Sequence, residues 1–308
     1  MILAVAINLL AAAYRGKGRA EAYLEFAQEH FLDWLRTEHL FEDETVVFKG
    51  GTAIRKFILG IYGRFSTDLD FAGADPIYAD HILERLAAGV THEGVTFVLD
   101  ALDAPARKAT WHAETPDLGR SLPASLDFSP RPLLLPPLTP PRAPIPGVER
   151  RYLGFEPARP PVADLVETVA EKLSRFRRTM LGRDVYDLAS VARLVNPRLP
   201  LLRETLCYKA YFDRVEENRL VPVPFAGGVE FRDRHASDIV DADDLGLLAA
   251  SAVDVVGLLR TIEATYAPMG APEGPTETRL AACRVGDLHW ARQSYASRAA
   301  ELRTATTG

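Results

Sequence analysis

Cysteine is scarce: the 308 residues include two, Cys207 and Cys283, far apart and without metal-ligand spacing. That excludes a disulfide framework and a zinc ribbon, and it fits a reducing cytoplasm. An excess of positive charge is also missing. Lys and Arg number 36 against 42 Asp and Glu, a net charge of -6. The overall balance therefore gives no support to nucleic-acid binding, and only a local basic patch can carry it. Long apolar runs are absent too. The opening stretch Met1–Ala13 is too short to span a bilayer and contains Asn8. No positive charge precedes it, since Arg15, Lys17 and Arg19 all follow, so it reads as a helix packed on the body rather than an export signal. The histidines show no ligand spacing, and neither a Gly-x-Ser-x-Gly elbow nor a Walker A lysine pattern occurs.

What is present is ordinary globular composition, 47% hydrophobic and 25% charged, enough to bury a sizeable core. The length suggests two domains, or one with a large helical extension. From Arg19 to Leu40 apolar residues (Tyr23, Phe26, Phe31, Trp34, Leu35) recur at helical spacing. Thr45–Phe48 is β-rich and breaks at Lys49-Gly50-Gly51; Thr52 to Leu59 reads as helix. Short strands are expected at Leu69–Phe71, Val95–Leu99 and Ser125–Phe128, with a helix over Ala79–Ala88. Eight prolines between Pro130 and Pro146 mark an extended segment. After Val162 the pattern is helical, with helices expected near 200–217, 243–266 and 276–303. The predicted fold class is α+β, an α/β domain with a small mixed sheet over residues 1–147 followed by a mainly helical domain over 148–308.

Asp68-Leu69-Asp70 begins one of these strands. Alternate residues on a strand share a side, so both carboxylates converge. Two such anions are costly side by side unless a cation neutralises them, and hard oxygen ligands suit Mg²⁺. Alone, Asp-x-Asp is a weak pattern, usually two solvated turn residues. Ahead of it, however, lies strand–Gly50-Gly51-Thr52–helix. Glycines there allow an anion close to the backbone, and a helix start favours negative charge. The bland reading is a flexible turn with Thr52 as helix cap. A phosphate cradle before a carboxylate pair supplies both halves of a metal–triphosphate site.

The run Val47-Phe48-Lys49-Gly50-Gly51-Thr52-Ala53-Ile54-Arg55-Lys56, then Arg64-Phe65-Ser66-Thr67-Asp68-Leu69-Asp70-Phe71, closely resembles the AbiEii/MenT family of nucleotidyltransferase toxins from toxin–antitoxin and phage-defence systems. Ala170-Glu171-Lys172-Leu173 and Arg183-Asp184-Val185-Tyr186-Asp187-Leu188-Ala189 form a second matching block. The resemblance spans roughly residues 20–195. It implies a polymerase-β-like nucleotidyltransferase domain joined to a helical domain that completes the active site. It also implies Asp68 and Asp70 as metal ligands for Mg²⁺ or Mn²⁺, and Gly50, Gly51 and Thr52 as triphosphate contacts. Lys172, Asp184 and Asp187 are implied as active-site residues of the helical part. Their plain readings are a solvated helix charge for Lys172 and a helix cap for Asp184. Such enzymes commonly add a third carboxylate on a later strand; Asp127 is the candidate and Asp100 the next. Arg64 is either a triphosphate clamp or an ion-pair partner of the acids.

The family likeness also carries the expected reaction. A nucleoside monophosphate would pass from a nucleoside triphosphate to the 3′ end of tRNA, blocking translation, in a cytoplasmic toxin neutralised by a cognate antitoxin. In related toxins a hydroxyl residue at the place of Ser66 can be phosphorylated by a kinase-type antitoxin. Lys172, Arg175, Arg177, Arg178 and Arg183 form the most basic stretch, a candidate track for a phosphate backbone. Two other readings stay open: a nucleotidyltransferase acting on a small molecule or protein side chain, and a non-catalytic nucleotide-binding module.

Overall fold

The computed structural model describes residues 4–13, 18–42, 46–73, 75–140, 143, 151–194, 198–219, 231–240 and 253–306. Thr45, several of the prolines between 141 and 146, and the start of the helix expected at 243 lie outside them. The chain divides into two compact units, Met1–Pro132 with Pro137–Ala163, and Leu133–Pro136 with Asp164–Gly308.

Among the described residues, the first unit is built on a seven-stranded mixed sheet. Its strands are β1 (Val47–Lys49), β2 (Asp68–Ala72), β3 (Val90–His92), β4 (Val95–Asp103), β5 (Lys108–Thr115), β6 (Gly119–Arg120) and β7 (Ala124–Ser129). They run in the order β1-β2-β7-β5-β4-β3, with β6 paired to β5. Of these pairs β2–β7 is parallel and the others are antiparallel. The sheet is larger than the sequence suggests, because β3, β5 and β6 carry no strand signal strong enough to be expected.

Alternation along these strands sorts the side chains. Leu69, Phe71, Leu126, Phe128, Trp111 and Phe97 are buried, while their neighbours Asp68, Asp70, Asp127 and Lys108 keep partial exposure on the other side. Helix α2 (Arg19–Thr37) packs on the apolar side, where Phe31 stacks on Trp111 with ring centroids 4.2 Å apart and meets Phe97 edge-on at 5.0 Å. Aromatic pairs of this kind add ~0.5–1.5 kcal/mol each beyond the area they bury. Helix α1 (Ala4–Ala13) lies against α2, burying Ala6, Ile7 and Leu10, so the described part of the opening apolar run is a packed helix. The short helix α3 (Gly50–Ile54) follows β1 directly. Helix α4 (Pro76–Ala87), capped by Asp75 through the Ile77 N–H, buries Ala79, Ile82, Leu83 and Leu86. Residues 151–163 stay with this unit, past the boundary expected at 147, because Val162 pairs with Leu138 and bridges to Phe48.

The second unit is helical: α5 (Leu165–Arg178), α6 (Gly182–Leu194), α7 (Leu199–Val215), α8 (Val255–Tyr266), α9 (Pro275–Ala281) and α10 (Leu288–Thr306). α5 packs on α7, and α6 on α8. Of the two apolar stripes expected here, Val169, Leu173, Phe176, Leu188 and Val191 are fully buried, whereas Leu165 is only partly buried, Leu194 is exposed, and Val195 lies outside the described residues. Asp164 caps α5 through the Val166 N–H. Glu167 accepts from the backbone N–H groups of Leu134 and Leu135 and pairs with Lys209 at 2.9 Å, which ties the proline-flanked segment 133–136 to this unit. No helix among the described residues is long and apolar enough to cross a membrane.

Candidate active site

β1 ends at Lys49 in extended conformation, and Gly50 turns the chain with φ +81° into α3, which widens into a π-helical turn over Arg55–Leu59. A Cβ on Gly50 would lie 2.1 Å from Asp70 Oδ2 and 3.0 Å from Asp70 Cγ. The glycine thus meets two demands, a positive φ and the close approach of a carboxylate. A Cβ on Gly51 would lie 2.3 Å from Arg64 Nη2 and 3.2 Å from Ser66 Oγ. The bend and Asp70 are therefore in contact, with the cation of Arg64 seated on the same turn.

Thr52 departs from the helix-cap reading. It is fully buried, and its hydroxyl donates to the Asp68 carbonyl at 2.5 Å, pinning α3 to β2. Lys49, not Thr52, holds the cap position of α3. Arg64 is buried, with Nη1 donating to the Phe65 carbonyl at 3.0 Å. Ser66 is buried as well, and its carbonyl accepts from Gln28 Nε2 at 2.8 Å.

Behind the turn lies a quartet of buried charges. Lys56 Nζ reaches Glu29 at 2.6 Å and Glu25 at 2.9 Å; Arg55 Nε reaches Glu25 at 3.0 Å, and its Nη1 donates to the Gly63 carbonyl at 3.0 Å. Two acids from α2 and two cations from the π turn balance, so α2 holds the turn in place and carries the loop toward Arg64. Buried ions without such partners would be strongly disfavoured. Asp33 and Arg36 extend the polar traffic on α2, with His92 Nε2 at 2.8 Å from Asp33.

Across the polar side of the sheet, register sets four charged residues in a row. Lys49 faces Asp70 between β1 and β2, Asp70 faces Asp127 between β2 and β7, and Asp127 faces Lys108 between β7 and β5. Residues directly opposite each other in register share a face. Asp68 stands opposite Ser125 on the same side and accepts from Thr67 Oγ1 at 2.9 Å. Lys108 Nζ lies 2.7 Å from Asp127 Oδ2. Asp100, the other candidate for the third carboxylate, sits at a bulge in β4 and is taken up by His112 Nδ1 at 3.0 Å and Arg120 at 2.9 Å. The parallel partner of β2 is thus the strand bearing Asp127. Sequence reasoning misses Lys49 and Lys108; the alternation of Lys108, Thr110, His112 and Glu114 with Ala109, Trp111 and Ala113 is the available signal for β5.

The donor chemistry suits a hard divalent cation: carboxylates on one strand face, adjoining a glycine that leaves Asp70 uncovered by any Cβ. Among the described residues no three His, Cys, Asp or Glu side chains are already gathered as a metal cluster; Asp127 is turned to Lys108.

In the helical unit, Lys172 donates to Asp184 at 3.1 Å and lies 2.8 Å from Asp187, and Arg175 Nε meets Asp184 at 2.5 Å. Asp184 is fully buried. Burial by itself would raise its pKa, but the Lys172 ammonium and the Arg175 hydrogen bonds outweigh burial and hold the carboxyl well below the usual carboxylate range. Lys172 is thus buried and paired rather than a solvated helix charge. The basic stretch is partly spent inside the unit: Arg175 on Asp184, Arg178 on Asp213 at 3.6 Å, and Arg177 buried.

A strand, a two-glycine turn and a helix thus stand beside an Asp-x-Asp strand, with a further carboxylate on its parallel neighbour. The family model of the "Nucleotidyl transferase AbiEii toxin, Type IV TA system" matches residues 34–265. The chain belongs to that family. Its structure is similar to that of MenT4, a nucleotidyltransferase toxin of Mycobacterium tuberculosis H37Rv, with a TM-score of 0.83 and 30% identity over 96% of this chain and 98% of that one. A putative nucleotidyltransferase from H. pylori aligns over 79% of this chain and 95% of its own at 15% identity and a TM-score of 0.44, too remote to carry an argument. No curated protein matches. The chain is accordingly a nucleotidyltransferase of the AbiEii toxin family, with the α+β fold, the triphosphate substrate and the antitoxin partnership that membership implies.

Proposed function

We propose that this toxin transfers a nucleoside monophosphate from a triphosphate to the 3′ end of tRNA in a magnesium-dependent reaction. The observation that carries the reading is the contact between Gly50 and Asp70, which leaves no room for a methyl group. It supports a site where phosphate oxygens and a carboxylate-bound cation meet at one bend. Asp68 and Asp70, with Asp127, would hold Mg²⁺ or Mn²⁺, which supplies charge neutralisation of the triphosphate when bound.

In this reading the Gly50-Gly51 backbone receives the triphosphate, while Arg64, seated on Gly51, adds a fixed positive charge. Thr52 acts through β2: its hydroxyl fixes the Asp68 backbone and so the carboxylate pair. The acceptor hydroxyl attacks the α-phosphorus, the bond to the bridging oxygen breaks, and pyrophosphate leaves with that electron pair. The hydroxyl proton passes to a carboxylate of the row; Asp127 lies one strand further from the turn than Asp70. Lys172, Asp184 and Asp187 enter as residues required for activity on the strength of the family likeness. A kinase-type antitoxin modifying Ser66 would have to reach a buried hydroxyl beside Gly51, so a phosphate there would need the turn to open.

The test incubates the protein with magnesium, each α-labelled triphosphate in turn, and total tRNA. Label in tRNA with wild type, absent with Asp70→Asn and with Lys172→Met, is the expected outcome. Label on a small molecule or protein instead would move the acceptor, and undiminished transfer by Asp70→Asn would overturn the site.

A further inference from the structure

Asp127, the third carboxylate on this face of the sheet, already has a partner. Asp127 faces Asp70 on one side and Lys108 on the other, and the ammonium of Lys108 lies 2.7 Å from Asp127 Oδ2. Both side chains keep access to water, with 57% of Lys108 and 30% of Asp127 exposed, so the pair can part without unpacking the sheet. Asp127 stands on the same face as Asp68 and Asp70, and Lys108 is the cation paired with it that offsets its repulsion from them. A lysine ammonium is a compact point charge that relieves this repulsion, and it competes for the same oxygens that a divalent cation would take.

We propose that Lys108 is a built-in counterion that holds Asp127 away from the Asp68–Asp70 pair until a divalent cation displaces it, which makes Lys108 a positioning residue that sets metal affinity. This rests on the metal-assisted reading given above. Lys108 touches no reacting atom in this account; it acts through Asp127. Freed, its ammonium remains on the face that carries the carboxylates, because its strand position fixes the side of the sheet from which it projects.

The experiment titrates Mn²⁺ into the nucleotide-free full chain and reads free ion by electron paramagnetic resonance. Wild type, Lys108→Met, Asp127→Asn and the double variant are compared, with Asp70→Asn as reference. Losing a half-exposed ion pair predicts about two- to fivefold tighter Mn²⁺ binding by Lys108→Met. That gain must vanish when Asp127→Asn is also present. An unchanged or weaker affinity in Lys108→Met overturns the proposal, as does an equal gain in the Asp127→Asn background, which would be a bare field effect. Wild type that binds no Mn²⁺, or binds it no better than Asp70→Asn, instead overturns the metal reading and this inference with it.

Discussion

Replacing Gly50 with alanine separates the backbone cost of a glycine from its role at the carboxylates. Two penalties fall on Gly50→Ala. The first is conformational: at φ +81° an L-residue loses ~1–2 kcal/mol. The second is steric, since the new Cβ falls 2.1 Å from Asp70 Oδ2 and 3.2 Å from Asp70 Cβ, so the carboxylate must swing out of the row. The structure supplies a matched control. Gly89 has φ +86° with nothing within 4 Å of the place a Cβ would take, so Gly89→Ala carries only the first penalty. Both variants are expected to melt a few degrees below wild type, as ~1–2 kcal/mol implies for a chain of this size. Only Gly50→Ala should also lose nucleotidyl transfer and Mn²⁺ binding, by tenfold or more. The assay is a thermal melt paired with labelled-triphosphate transfer for the two variants. Equal activity in Gly50→Ala and Gly89→Ala would refute the claim that Asp70 works through its seat on Gly50.

Three further outcomes follow from the buried charges. Lys56→Met leaves Glu29 and Glu25 without their buried ammonium and should cost about 3–5 kcal/mol in urea unfolding; a loss under about 1 kcal/mol would mean that the quartet does not hold the turn. Asp184 has a depressed carboxyl pKa, so its stabilisation is complete above the ordinary value of 3.8 and is lost as pH falls below it; the acid limb of the melting curve should flatten in Asp184→Asn, and an unchanged limb would contradict the ion-pair account. His30 is buried, with neither ring nitrogen hydrogen-bonded among the described residues, and burial first, with His92 adding, pushes its pKa from 6.5 down to about 4. Its neutral form stabilises the fold above pH 6.5, and on the order of 3 kcal/mol is lost as pH falls from there toward 4; His30→Leu should remove that slope, and a slope that persists would place its origin elsewhere.

Much of the site is legible without the fold, for a local reason. Asp68 and Asp70 share a strand face by alternation, and the glycine turn directly follows a β-rich run, so short-range geometry is enough to pair them. What is not legible depends on strand order. That β7 lies parallel beside β2, bringing Asp127 next to Asp70, requires a crossover that passes through β3 to β6. The partners of Lys108 and of Asp100 follow from that order alone. Helix α2 announces itself by its apolar stripe, yet Glu25, Gln28, Glu29 and Asp33 are buried with it, because their partners Lys56, Arg55, Ser66 and His92 come from other elements. Thr52 escapes a local reading for a similar reason: its hydroxyl answers to the Asp68 carbonyl across the turn, not to the helix it begins.

Crystals soaked with Mn²⁺ and a non-hydrolysable triphosphate give the most direct measurement, the anomalous scattering of the ion. A peak bound by the Asp68 and Asp70 carboxylates, with phosphate density against the Gly50-Gly51 backbone, is the predicted result. A nucleotide seated elsewhere, or a peak that leaves those two carboxylates untouched, would contradict the account.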